Sequence, residues 1–245
     1  MIDAVRAEWI KFSTLVSSWV LVIIAIAFPL VIVLLTAALE DSVPDSDDLA
    51  SVLTGTSVVS ALLLGTLGVL TITSDYGHNT IRPTFAALPD RWRPLIAKTV
   101  VQVGVTAVVL AGVMVVGWVG AAVVAEGVQA IGDDGVLASL CGAVLLGIGL
   151  TILGYGLGLL LRNTALAICI LLLWPLVAEG IVAGLFAAAG WDGLQRWLPY
   201  QAGFNLIAVD PSDDQLGRVG GGVWFFAWVL AIAAFGLWRA KRRDA

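Results

Sequence analysis

The side chains that most often carry chemistry are scarce in this chain, and none falls in a catalytic spacing. The three lysines, Lys11, Lys98 and Lys241, all lack the Gly-Lys-Ser/Thr context with which a phosphate-binding loop holds ATP. The only histidine, His78, belongs to no His-Glu-x-x-His zinc motif. An intramembrane serine protease would need a histidine inside an apolar run, and His78 lies outside all of them. We therefore expect no enzyme activity, no resident metal and no cofactor on this chain.

One acidic residue, Glu179, lies deep within an apolar stretch. An ionisable group in hydrocarbon is costly unless it faces an aqueous cavity or a partner. Glu179 is therefore a candidate pathway or gating residue, and the alternative is a helix end that sits closer to the outer face. Cys141 and Cys169 show neither a disulfide framework nor a metal-binding spacing, so we expect them to pack as small apolar residues.

The elements that must position these residues are membrane helices. Hydrophobic residues make up 60% of the 245 residues and charged residues 13%, where a soluble domain carries about 25% charged residues. This excludes an ordinary soluble domain, a disordered chain and a nucleic-acid binder. A spanning helix needs about 20 apolar residues. The chain contains six such runs, at residues 18–39, 52–73, 99–125, 136–161, 164–189 and 219–238. The sequence predicts an all-α integral membrane protein with six transmembrane helices in a single domain, residues 1–245.

The basic residues predict the orientation of these helices. Eleven of the 13 fall on the side that holds both termini: Arg6, Lys11, Arg82, Arg91, Arg93, Lys98, Arg162, Arg239, Lys241, Arg242 and Arg243. Cytoplasmic loops carry the excess of lysine and arginine. We therefore expect both termini in the cytoplasm, while the net charge of −5 arises from acidic external loops.

Residues 1–17 predict an amphipathic helix that lies in the cytoplasmic interface and leads into the first span. Its apolar residues share one face of the helical wheel: Ile2, Val5, Trp9 and Phe12. The charged residues Asp3, Glu8 and Lys11 lie elsewhere on the wheel. The alternative is a simple membrane anchor with no further role.

The longest cytoplasmic loop, residues 74–98, is too structured to be a plain connection. Pro83, Pro89 and Pro94 divide it into short pieces. Ile81, Phe85 and Leu88 recur at i, i+4 and i+7, surrounded by basic residues. A short helix that presents apolar side chains to the cytosol predicts a docking surface for a soluble partner. The alternative is a solvated loop that only sets the topology.

The external segment 190–218 also carries a pattern. Trp191, Leu194 and Trp197 predict an amphipathic turn, and residues 199–207 follow as a second short element. Tryptophan and tyrosine favour the membrane interface. The segment either dips into the outer leaflet as a re-entrant element or rests at the interface. Its candidate site residues are Trp197, Pro199, Tyr200 and Phe204.

Two glycines of the fourth run, Gly154 and Gly158, form a GxxxG pair. Such a pair permits close approach of two helices. We expect it to serve packing within the chain rather than a dimer interface.

The cytoplasmic loop resembles that of the type-2 ABC transporter (ABC-2) permease family, in particular its small actinobacterial members. The resemblance rests on Ile72-Thr73-Ser74-Asp75-Tyr76-Gly77, on Thr80-Ile81-Arg82, on Leu88-Pro89 with Arg91, and on the closing Lys98. The opening Glu8-Trp9-Ile10-Lys11, the ending 242–245 and the external Leu198-Pro199 with Ala202-Gly203 are also similar to that family.

The resemblance implies the membrane subunit of an ATP-driven exporter in the bacterial cytoplasmic (inner) membrane. Two permease copies or paralogues would dimerise around the translocation pathway, and ATP and Mg²⁺ would bind on separate cytosolic P-loop ATPase subunits. The loop would supply the coupling helix, with Asp75, Tyr76, Gly77, Thr80, Ile81, Arg82, Phe85, Leu88, Pro89 and Arg91. The N-terminal helix would be a connecting helix, with Arg6, Glu8, Trp9, Lys11 and Phe12. The alternative function is a stand-alone secondary transporter or channel, which would favour several intramembrane ionisable residues or an internal repeat.

Overall fold

A computed structural model describes residues 2–39, 45–77, 92–125, 134–210 and 216–243. All regular secondary structure within these residues is helical. The helices are α1 (Ile2–Thr14), α2 (Val16–Leu39), α3 (Ser46–Gly77), α4 (Trp92–Val124), α5 (Asp134–Leu161), α6 (Thr164–Leu173), α7 (Glu179–Ala188), α8 (Pro199–Phe204) and α9 (Gly217–Arg243). A π-helical turn (Trp174–Ala178) joins α6 to α7, and a 3-10 helix (Asp192–Trp197) precedes α8.

Within the described residues, six helical stretches are long and apolar enough to cross a membrane: α2, α3, α4, α5, the continuous α6–α7, and α9. They match the six predicted runs, and the chain is a multi-pass membrane protein. The helices extend beyond the apolar residues. For example, α3 covers Ser46–Gly77, whereas the predicted run covers 52–73, because helical hydrogen bonding continues past the last apolar side chain. Asp47 and Asp48 in its first turn favour the helix dipole.

The helices α3 and α5 form the centre of the bundle. In each of these two helices, 61% of the residues in an 18-residue apolar segment are buried inside the protein, against 22–33% in the other four stretches. A Cβ atom on Gly154 of α5 would lie 2.2 Å from the Gly65 carbonyl oxygen of α3, and one on Gly158 would lie 2.4 Å from Ile72. Only residues without a Cβ allow this approach. The predicted packing role of the GxxxG pair within the chain is therefore confirmed.

The other helices surround this central pair. Helix α2 packs against α3 and α4, α9 packs along α5, and α6 contacts both α3 and α5. Polar side chains between the helices bond to one another or to carbonyl groups. The Ser60 hydroxyl donates to the Ala25 carbonyl at 2.6 Å, and the hydroxyls of Thr106 and Thr151 lie 2.9 Å apart. Such bonds satisfy polar groups that no water reaches.

The two ends of the bundle differ. At one end, here called the basal end, α3, α4, α5 and α9 share a buried cluster of Ile72, Leu95, Tyr155, Leu159 and Ala240. The Tyr155 hydroxyl donates to the Leu95 carbonyl at 3.1 Å. Helix α1 packs on α4 at the same end. Helix α1 and the C-terminal part of α9 therefore lie at the same end of the bundle. The opposite, distal end carries the 3-10 helix and α8.

Candidate functional site

The N-terminal helix α1 buries a charged residue on the face that it turns to the bundle. Asp3 in its first turn and Lys11 in its last turn both stabilise the helix through its dipole. Glu8 and Phe12, one turn apart, are its two buried residues. Ile2 and Trp9, by contrast, are 83% and 48% exposed. The helical wheel predicted an apolar face with Glu8 elsewhere, and this differs from the structure, in which Glu8 shares the protein-facing side with Phe12.

Glu8 is buried because it meets a buried lysine. The Lys98 ammonium, on a side chain that is 5% exposed, lies 2.9 Å from Glu8 Oε2 and 2.9 Å from Asp75 Oδ2. It also donates to the Thr71 carbonyl at 3.3 Å. Lys11 lies 3.0 Å from the other carboxylate oxygen of Glu8. We call Glu8, Lys11, Asp75 and Lys98 the basal ion cluster. Buried charges persist only when they are paired in this way.

The basal ion cluster joins three helices around one segment. Asp75 lies in the last turn of α3, and Lys98 lies in the second turn of α4. The segment 78–91 connects these two helix ends. Glu8 contributes the third helix, α1. Thus α1 is bonded directly to the beginning of α4, and through Lys98 it is linked to the end of α3.

A further contact extends the arrangement to the junction of α5 and α6. The Arg162 guanidinium lies over the Tyr76 ring, 4.7 Å from its centroid. Arg162 has a φ of 53°, in the left-handed region that a non-glycine residue adopts only at some cost. Cation–π contacts of this kind are attractive at about 0.5–2 kcal/mol. The last turn of α3 is therefore held by two contacts, that of Asp75 with Lys98 and that of Tyr76 with Arg162.

A small cavity lies beside the basal ion cluster. Its volume is about 50 Å³, and Phe12, Ser18 and Gln102 are among its lining residues. The Gln102 side-chain amide donates to the Thr71 hydroxyl across it. Charged groups of the basal ion cluster line part of its wall, and it is large enough for one or a few water molecules but far too small for a drug-sized ligand.

Some of the predicted site residues at this end lie within the described residues, and others lie outside them. Asp75 belongs to the ion cluster, Tyr76 lies under Arg162, and Gly77 ends α3. Trp9 and Arg6 lie on the exposed surface of α1. His78 lies outside the described residues. So do the other predicted coupling residues, which are Thr80, Ile81, Arg82, Phe85, Leu88, Pro89 and Arg91.

The central residue of the cluster was missed as a site residue. Sequence reasoning placed Lys98 at the end of the loop and counted it among the basic residues and as the closing residue of the loop motif, but not as a site residue. The signal was its position directly before the apolar run 99–125. A lysine one turn inside a spanning helix must either extend to the interface or find an acidic partner, and Glu8 and Asp75 were available for this.

Glu179, the predicted pathway or gate residue, is 1% exposed and fully engaged in hydrogen bonds. Its Oε1 accepts from the Tyr200 backbone N–H at 2.9 Å and from Trp174 Nε1 at 3.2 Å. Its Oε2 accepts from the backbone N–H groups of Tyr200 and Gln201 at 3.1 and 3.0 Å. The carboxylate thus caps the N-terminus of α8, where free N–H groups and the helix dipole favour a negative charge.

The π-helical turn explains how a residue of α7 reaches this position. Ala167, Leu171, Pro175 and Glu179 are buried at intervals of four residues. At 100° per residue, twelve residues of α-helix would rotate Glu179 about 120° away from Ala167. The π-turn accommodates one extra residue and reduces this difference to about 20°. Pro175, which has no N–H to give, favours the irregular turn.

The four predicted residues of the external segment lie together at the distal end. Pro199 begins α8, and the carbonyl of Trp197 accepts from Trp224 Nε1 at 2.8 Å. The buried ring of Tyr200 lies 6.3 Å from that of Phe225, and Phe204 is partly buried. Burial raises the pKa of the Tyr200 phenol well above its usual value, and the Glu179 charge adds to this. The phenol therefore stays neutral at physiological pH.

The described part of the chain contains no group of three or more His, Cys, Asp or Glu side chains that could hold a metal ion. Comparison with known proteins gives no match, either to a protein-family model, to a curated protein or to a solved structure. The resemblance to the type-2 ABC permeases therefore rests on the amino-acid sequence alone.

Proposed function

We propose that this chain is the transmembrane subunit of an ATP-driven exporter of the type-2 ABC permease kind. It works as a dimer, with itself or with a paralogue, in the bacterial cytoplasmic membrane, and separate cytosolic P-loop ATPase subunits hydrolyse the ATP. The basal end faces the cytoplasm, because it carries most of the basic residues. The chain has no phosphate-binding loop of its own, which is consistent with ATP hydrolysis on another subunit.

The basal ion cluster is the observation that carries this proposal. A permease driven from outside must transmit a push on a cytoplasmic segment to its spanning helices. The Lys98 ammonium, 2.9 Å from both Glu8 and Asp75, joins α1 to the ends of α3 and α4 at either side of segment 78–91. A force on that segment therefore moves α1, α3 and α4 together rather than bending one helix.

The alternative, a stand-alone secondary transporter or channel, has less support. Such proteins line a pathway with ionisable groups near the bilayer midplane. Glu179, the acid expected deepest in the membrane, uses both oxygens to cap α8. The basal ion cluster lies at one end of the bundle, and its cavity of about 50 Å³ is no pathway.

A docking experiment tests the proposal. The tagged chain is purified in mild detergent from its native membrane, and co-purified P-loop ATPase is quantified. Phe85→Asp should remove the ATPase, because Phe85 belongs to the apolar face predicted to dock. Leu194→Asp is the matched control, since it places the same charge on an apolar residue that is 45% exposed in the distal 3-10 helix. Equal ATPase recovery with both variants would contradict docking through this segment.

A further inference from the structure

The distal end is covered by a backbone segment that lies directly on the bundle. We call residues 197–209 the distal cover. A Cβ on Gly142 of α5 would lie 1.8 Å from the Leu206 carbonyl oxygen, and one on Gly221 of α9 would lie 2.5 Å from that of Ala202. The Ser139 hydroxyl of α5 donates to the Ile207 carbonyl of the cover at 2.6 Å. The cover is therefore seated on α5 and α9 in backbone contact.

The far end of the cover is fixed by an arginine. Arg218, in the first turn of α9, donates from Nη2 to the carbonyls of Ala208 and Val209 at 2.6 and 3.0 Å, and to that of Gly135 at 3.2 Å. These bonds tie the end of the cover to α5 and α9. The beginning of the cover is held on α9 by the bond from Trp224 Nε1 to the Trp197 carbonyl and by the contact of the Tyr200 and Phe225 rings, and Glu179 holds it from the side of α7.

Helix α7, which carries Glu179, otherwise turns most of its side chains to the outside of the bundle. In α6–α7 only 22% of the residues in the 18-residue apolar segment are buried, the lowest share of the six stretches found in the described residues. Glu179 is the one buried residue of α7. A Cβ atom on Gly180 or Gly184 of the same helix would meet nothing within 4 Å. The carboxylate is therefore the buried polar contact that attaches α7 to α8.

We propose that Glu179 is a positioning residue that couples α7 to the distal cover. While α7 stays in place, the carboxylate holds the N-terminus of α8 down on the bundle. A displacement of α7 withdraws both carboxylate oxygens from α8 at once, which leaves the beginning of the cover held by α9 alone and lets it lift from the bundle more often. Glu179 thus controls access to the distal end without itself lining a pathway. The inference rests on the distal end alone and stands whether or not an ATPase binds at the basal end.

The test measures how often the cover opens. Cys141 and Cys169, both exposed, are replaced by alanine, and Ala202, which is 0% exposed, by cysteine. The purified chain is placed in lipid nanodiscs, where a soluble maleimide reaches both faces. The labelling rate of Ala202→Cys reports cover opening, since a buried thiol reacts only when its segment opens. A separate Gly193→Cys variant, at an exposed position outside the cover, gives the reference rate.

Three substitutions grade the effect. Glu179→Ala removes every acceptor and should raise the Ala202→Cys labelling rate at least about tenfold. Glu179→Gln keeps one acceptor oxygen and should raise it a few-fold. Trp174→Phe removes only the side-chain donor and should change it by less than about twofold. The Gly193→Cys rate should stay constant in all of them.

Two results would overturn the proposal. One is rapid labelling of Ala202→Cys with Glu179 intact, which would mean that the cover is open already. The other is an unchanged rate in the Glu179 variants, which would mean that α8 is held without the carboxylate. If Glu179→Ala yields no folded protein, Glu179→Gln decides, with monodispersity in size-exclusion chromatography as the criterion of folding.

Discussion

The replacement Lys98→Met tests the basal ion cluster most sharply. Methionine keeps a long apolar side chain and removes the ammonium that lies between Glu8 and Asp75. Both carboxylates then remain in place without that cation, on side chains that are 7% and 20% exposed. Lys11 still contacts Glu8, so the compensation is partial rather than absent.

The magnitude follows from the burial of these groups. Removing one partner of a buried ion pair costs about 3–5 kcal/mol. Because Lys11 remains and Asp75 keeps some exposure, we expect about 3 kcal/mol, the lower end of the range. For a chain of this size each kcal/mol lowers Tm by about 2–4 °C. Lys98→Met should therefore lower Tm by about 6–12 °C.

Thermal unfolding in detergent, followed by tryptophan fluorescence, provides the measurement. Lys11→Met is the matched control: Lys11 is 48% exposed, so its loss should cost less than about 1 kcal/mol. The triple variant Glu8→Gln/Asp75→Asn/Lys98→Met should be more stable than Lys98→Met alone, because it leaves no uncompensated buried charge. A Tm for Lys98→Met within about 2 °C of the parent, or a triple variant less stable than the single one, would refute this account.

Three further predictions concern the rest of the bundle. Gly154→Ala places a Cβ against the Gly65 carbonyl and should destabilise the protein by about 1–3 kcal/mol, whereas Gly104→Ala, in open space, should be neutral or stabilising; thermal unfolding compares the two. Arg218→Gln removes the three bonds from Nη2 and should speed protease cleavage at the distal end several-fold, and cleavage rates like those of the parent would contradict its role. In intact cells, Gly193→Cys should react with a membrane-impermeant maleimide from outside; labelling only after lysis would reverse the proposed orientation.

The spans could be predicted from composition because each apolar run exceeds the length that a bilayer demands. Their ends could not, since helices continue into polar residues, as α3 does at Ser46 and Gly77. The spacing of the glycines revealed the GxxxG pair but not what it packs against, because Gly65 lies on another helix. Hydropathy thus predicts which segments are helices and says little about which of them touch.

The roles of single charges were the hardest part to predict. On a helical wheel Glu8 is a polar residue of an interfacial helix, and only the position of Lys98 on another helix makes it a buried one. Glu179 could be recognised as unusual from its apolar surroundings. Its capping role depends on a π-turn that rotates it toward α8 and on the fold of a segment twenty residues away, and a linear pattern encodes neither.

The proposal that an external ATPase drives this chain is tested most directly by isolating the native complex through a tag on the chain and measuring its hydrolysis of Mg-ATP. We expect a P-loop ATPase in an amount equal to that of the tagged chain, hydrolysis by the complex, and none by the chain purified alone. A chain that leaves its native membrane with no P-loop ATPase and no hydrolysis would contradict the proposed function.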